Sequence, residues 1–81
     1  MPLYFFNYRV NGVLENDPEG MDLPSDDAAR KEAEEGAREL LANKVRLGDV
    51  VDGDEFEVTT DDGTVVFKVP LRSVLKLEHT D

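Results

Sequence analysis

Cysteine is absent from this chain. That excludes a disulfide, a thiolate metal site and a cysteine nucleophile. Histidine occurs once, as His79 beside Glu78. A general base needs a positioned partner and a pocket, and neither is visible around it, so His79 reads as a solvated residue of a frayed end. The serines are Ser25 and Ser73. Ser25 suits a helix cap, and Ser73 has no base near it in sequence. No apolar run approaches the ~18 residues that a membrane helix needs. The first residues lack the basic start and apolar core of a secretory signal.

Positive charge is scarce as well. Nine basic residues stand against 19 acidic ones, a formal net charge of −10. Such a surface repels nucleic-acid phosphates and anionic membranes, and it keeps a small protein soluble. A basic protein partner is compatible with it. No glycine-rich phosphate loop occurs, and no basic patch with interleaved aromatics.

What remains is enough for one core: 81 residues, 40% of them hydrophobic. The expectation is one small α+β domain over residues 1–81, with two hairpins flanking one long helix (ββαββ). The helix is expected from Ser25 to about Asn43. At 3.6 residues per turn, Ala29, Ala33, Gly36, Ala37, Leu40 and Leu41 share one face, and Lys31, Glu34, Glu35 and Arg38 share the other. Ser25 or Asp26 caps the start, Asp26 and Asp27 suit the positive end of the dipole, and Gly48 is a stop signal. Four opposite-charge pairs spaced four apart run from Asp26/Arg30 to Glu34/Arg38.

Leu3–Val10 is the strongest strand, rich in aromatic and β-branched residues. Tyr4, Phe6, Tyr8 and Val10 form the face assigned to the helix; Leu3, Phe5, Asn7 and Arg9 form the other. Asn11-Gly12 marks a hairpin. Two registers compete there, and the three-residue loop that sets Leu14 beside Tyr8 is favoured because it buries Leu14. Asp17-Pro18-Glu19-Gly20 is a turn, after which Met21 and Leu23 are expected to anchor the lead into the helix. In the second hairpin a two-residue turn at Asp62-Gly63 would pair Thr60 with Val65, Val58 with Phe67 and Phe56 with Val69. Pro70 ends that strand. Leu71, Val74 and Leu75 have the spacing of a short helical turn, and Leu71–Leu77 is an open candidate for covering the second sheet face.

The candidate chemistry is thin. Asp49, Asp52, Asp54, Glu55 and Glu57 are dense, but they fail the alternating-oxygen pattern of a calcium loop, as do Asp17, Glu19 and Asp22. Tyr4-Phe5-Phe6 reads as core. No catalytic, cofactor-binding or metal residue is assigned, and no enzyme activity is expected. The leading expectation is a non-enzymatic interaction module, either a homodimer or the partner of a basic protein, contacting through Leu3, Phe5 and Val66, with Val13 beside them. The alternative is a small-molecule or divalent-cation binder that uses the acidic turns.

Met1-Pro2-Leu3-Tyr4-Phe5-Phe6, Asp17-Pro18-Glu19-Gly20-Met21-Asp22-Leu23-Pro24 and Ala28-Ala29-Arg30-Lys31-Glu32-Ala33 together carry a resemblance, joined by Phe56-Glu57-Val58, Asp62-Gly63 and Val69-Pro70. The chain resembles a family of small bacterial domains of unknown function, common in rhizobia and related alphaproteobacteria. Asn7 stands where relatives are expected to carry His or another polar residue, and Leu3 where a basic residue is frequent. The resemblance implies a cytoplasmic bacterial protein with no assigned activity, and it transfers no catalytic residue.

Overall fold

The computed structural model describes residues 2–51 and 53–74. Its elements are β1 (Leu3–Val10), β2 (Val13–Glu15), β3 (Met21–Asp22), α1 (Asp26–Leu47), β4 (Glu55–Thr60) and β5 (Val65–Pro70), closed by a 3-10 turn at Leu71–Val74. The sheet is antiparallel and five-stranded, one strand more than the two hairpins alone supply. Its order is β2-β1-β4-β5, and β3 also pairs with β1. β2 and β3 divide the outer edge of β1 between them: β2 takes Tyr8–Val10 and β3 takes Leu3 and Tyr4.

α1 begins where the sequence indicates. Ser25 is extended, and its hydroxyl accepts the Ala28 N–H at 3.1 Å. The helix runs past Asn43 to Leu47 and stops at Gly48, which is left-handed (φ 75°). There the Gly48 N–H donates to the Val45 carbonyl and the Asp49 N–H to the Lys44 carbonyl, a Schellman closure. None of the four expected charge pairs along α1 closes into a salt bridge among the described residues. Arg30 lies over the Phe67 ring instead, 4.5 Å from its centroid, a cation–π contact.

Ala29, Ala33, Ala37 and Leu41 form the buried stripe of α1. Three alanines in a row let the helix axis lie close to β4 and β5, which it crosses. The core joins them to Tyr4, Val58, Val69 and Leu71, with Phe6, Tyr8, Leu23, Leu40 and Phe56 packed around it. The even positions of β1 therefore face the helix. Of the two expected anchors, Leu23 packs on this core while Met21 is exposed. Leu71 and Val74 also join the core, on the helix side. The turn they form does not cover the second sheet face; residues 75–77 lie outside the described part, as does His79. No helix among the described residues is long and apolar enough to cross a membrane.

Both hairpins depart from the expected registers, for one reason. A two-residue hairpin turn needs positive φ at its first central residue, and in type I′ at both. Asn11 and Gly12 meet this, with φ of 52° and 77°. So the first hairpin takes the two-residue turn, pairing Val10 with Val13 and Arg9 with Leu14. Leu14 consequently shares a face with Arg9, not with Tyr8, and Val13 goes to the helix side of the sheet. In the second hairpin only Gly63 is at positive φ (85°). The Asp62 carboxylate accepts the Thr60 hydroxyl at 2.5 Å and the Thr64 N–H at 3.0 Å, and these bonds hold it below the usual carboxylate pKa. The Thr60 N–H donates to the Thr64 carbonyl, closing a three-residue loop. Thr59 then faces Val65, whereas Val58 faces Phe67 and Phe56 faces Val69 as expected. Val66 has no opposite number. It is the extra residue of a β-bulge, which reconciles the two registers within one strand.

Candidate interaction face

The molecule is thin. Its smallest principal extent is 16 Å, about one helix on one sheet, since those layers stack roughly 10 Å apart. The side of the sheet away from α1 follows from the registers, because directly paired residues share a face. One row holds Phe5, Thr59 and Val65; the next holds Asn7, Glu57 and Lys68; the third holds Leu14, Arg9, Glu55 and Pro70; Leu3 and Asp22 lie beyond Phe5.

Of the three residues expected on this face, Leu3 and Phe5 are there, both half-buried. Val66 is not: it packs against the core on the helix side. The bulge turns two successive residues, Val66 and Phe67, toward the core. Val65 takes the vacated place opposite Thr59 and is 45% exposed. The signal for this lies in the loop, where the Asp62 carboxylate accepts the Thr60 hydroxyl and the Thr64 N–H, the local bonding that aspartate favours in turns.

The middle row is polar yet buried: Asn7 is 6% and Glu57 9% exposed. Glu57 is held by Arg9 at 3.3 Å and lies 4.0 Å from Lys68. The Asn7 amide donates to the Thr59 hydroxyl at 3.2 Å, and its oxygen accepts the Asp17 N–H at 2.9 Å. Asp17 in turn fills the gap between β2 and β3 on the edge of β1. One carboxylate oxygen accepts the Phe6 N–H at 3.2 Å, and the other accepts the N–H groups of Glu19 and Gly20 at 3.1 and 3.3 Å. Partial burial pushes the Asp17 pKa up, but the three backbone donors outweigh it and the net displacement is downward. The carboxylate's contribution is therefore complete above the ordinary carboxylate range and is lost as pH falls through its own lowered pKa. Gly20 (φ 74°) closes this loop over the sheet, so near that a side chain there would meet Phe5 Cε1 at 3.0 Å and the Tyr4 carbonyl at 3.1 Å.

On the helix side, two phenols of β1 reach the two ends of α1. The Tyr4 hydroxyl donates to Asp26 at 2.6 Å, at the first turn. The Tyr8 hydroxyl donates at 2.9 Å to the buried Asp54, whose same oxygen lies 3.0 Å from Lys44 Nζ near the last turn. The bond to Asp26, then burial, raise the Tyr4 pKa; burial, then the bond to Asp54, raise that of Tyr8. Both phenols stay protonated in the fold through the range where free tyrosine ionises, so this support is complete below about pH 10 and fades above it.

The acidic turns are accounted for differently than a cation site requires. Asp17 and Asp54 are spent on the chain's own donors, Asp49 is exposed, and Asp52 lies outside the described residues. Among the described residues no group of three His, Asp or Glu side chains could hold a metal ion, and no cavity opens.

The family model described as "Domain of unknown function (DUF6894)" matches residues 3–72. No curated protein and no solved structure matches the chain.

Proposed function

The chain belongs to the DUF6894 family of domains of unknown function, and from that premise we propose that it is a small acidic, non-enzymatic protein-interaction module of the bacterial cytoplasm. One observation carries the reading. Among the described residues the sheet carries a helix on one face only; the other face holds Phe5 and Val65 at the two ends of one row with Thr59 between them, and Leu3 beyond Phe5, where the Gly20 loop lies against both. Burying a fully exposed side chain of this size contributes roughly 1.5–3 kcal/mol, and Val65, 45% exposed, is the apolar side chain of this face with most surface left to bury. The middle of α1 is charged on its outer face, with Lys31, Glu32, Glu35 and Arg38 exposed, while its last turn exposes Val45 and Leu47. The net charge of −10 opposes a nucleic-acid partner.

Site-specific photo-crosslinking in the producing cell tests this. A photoreactive amino acid replacing Val65 should give discrete adducts, and the same group replacing Glu35 should not. Equal labelling at both positions, or none at Val65, would reject the reading.

A further inference from the structure

We infer that Lys68 guards the outer edge of the sheet: it keeps β5 from taking a further strand, above all the β5 of a second copy. This goes beyond the interaction reading, which concerns a face, and it stands whether or not that face takes a partner. β5 is the end strand of the order β2-β1-β4-β5. An end strand presents unpaired N–H and C=O groups to any chain that can lie beside it.

The registers say which groups those are. In an antiparallel ladder the backbone groups of successive residues point to opposite sides. The Phe6 N–H donates to Asp17 on the outer side of β1. Asn7 therefore turns its backbone groups to β4, where its partner is Glu57. Lys68 lies opposite Glu57 on β5. Glu57 spends its backbone groups on β1, so the N–H and C=O of Lys68 both point away from the sheet. Pro70 points the same way but has no N–H, and its carbonyl accepts the Ser73 hydroxyl at 2.6 Å. Two residues in the other direction stands Val66, the extra residue of the bulge, where the ladder is broken. Of these three outward positions, Lys68 alone keeps both groups in regular strand geometry.

Its side chain is the obstacle. A second β5, antiparallel about a two-fold axis, would centre on that position and set Lys68 directly opposite its own copy. Like charges directly opposite across a strand pair are destabilising. The Lys68 side chain is 54% exposed and its ammonium lies 4.0 Å from Glu57, whose same oxygen is held more closely by Arg9 at 3.3 Å. The opposite edge is closed by other means. β2 has three residues and β3 two, and between them Asp17 takes the Phe6 N–H. Short strands and a charge set into the edge serve one end of the sheet; a bulge, a proline and a lysine serve the other.

Lys68→Val tests this, because it removes the charge and suits a strand. Lys68→Thr is the second variant, β-branched and polar, which separates loss of charge from added hydrophobicity. Sedimentation of the full chain from about 10 μM to about 1 mM, with amide exchange at both ends of the range, gives the readout. Both variants should associate at least about fivefold more tightly than the parent. The residue-68 amide should gain protection as they do. Lys31→Val, which removes the same charge from the exposed face of α1, should match the parent. The inference is overturned if the folded variants associate no more than the parent, if they associate without protection at residue 68, or if Lys31→Val associates equally. Protection of that amide in the concentrated parent would overturn it too. So would loss of fold in both variants, since Lys68 would then serve the monomer through Glu57.

Discussion

On the helix side of the sheet the buried apolar residues are Tyr4, Val58, Val69 and Leu71, shut in by the alanine stripe of α1, with Asp54 buried beside them; on the far side the buried residues are Asn7 and Glu57. The first group is buried from above, by a second layer. The second is buried largely sideways, by Arg9, Lys68 and Thr59 in the same layer, with the Asp17 loop lying over its edge. Among the described residues there is no third layer. The open face keeps buried polar groups satisfied by lateral pairing, and it leaves the apolar residues around them half-exposed. Loss of packing should thus cost far more on one face than on the other, and loss of geometry should matter most where the Asp17 loop closes.

The largest effect is expected at Leu71, which is fully buried against α1. Leu71→Ala should cost about 2–5 kcal/mol, a large part of the 5–15 kcal/mol or so typical of a whole domain. Val65→Ala on the open face should cost under about 0.5 kcal/mol. Urea titration of both variants measures the contrast directly. Similar losses would mean that the open face is covered as firmly as the other.

The Asp17 loop ranks second. Gly20 sits at a φ of 74°, with Phe5, the Tyr4 carbonyl and Leu3 all within 3.2 Å of where a Cβ would stand. Gly20→Ala should destabilise by about 1–3 kcal/mol from left-handed strain and crowding together. Amide exchange should locate the damage at Phe6, whose N–H loses its hold on Asp17. A Gly20→Ala variant as stable as the parent would show that the loop does not brace the open face.

Much of the covered face was legible in the sequence, because its determinants are periodic. The Ala29–Ala33–Ala37–Leu41 stripe, the Ser25 cap, the Gly48 stop and the alternation of β1 each repeat a local rule. The open face was harder. Its composition turns on one bulge, which exchanges Val66 for Val65, and that bulge follows from how a single aspartate in a four-residue stretch prefers to satisfy its carboxylate. The first hairpin departs from expectation by the same rule: burying Leu14 carries less weight than the ease with which Asn11 and Gly12 both reach positive φ. The Asn7–Asp17 network joins residues 10 apart in sequence through side-chain to backbone bonds, and β3 exists because that loop returns the chain to β1. Neither leaves a periodic trace. The family match over residues 3–72 bears out the expectation of a small domain family of unknown function.

The one effect of opposite sign is expected at Gly36. The apolar stripe of α1 suggests that glycine is there for close approach to the sheet. A Cβ built at Gly36 would lie 3.6 Å from the edge of the Phe56 ring, an ordinary van der Waals contact and not a clash. Gly36 also has none of the positive φ that marks Gly12, Gly20, Gly48, Gly53 and Gly63, so alanine can adopt its backbone without strain. The unfolded chain loses conformational freedom and the folded chain gains a methyl contact with Phe56. Gly36→Ala should therefore stabilise by about 0.5–1 kcal/mol. The comparison with Gly20 is sharp because the same substitution, on opposite sides of one sheet, should move the urea midpoint in opposite directions. Were Gly36→Ala to destabilise, α1 would have to lie closer to Phe56 than 3.6 Å allows, and the packing of the alanine stripe on β4 and β5 would need to be redrawn.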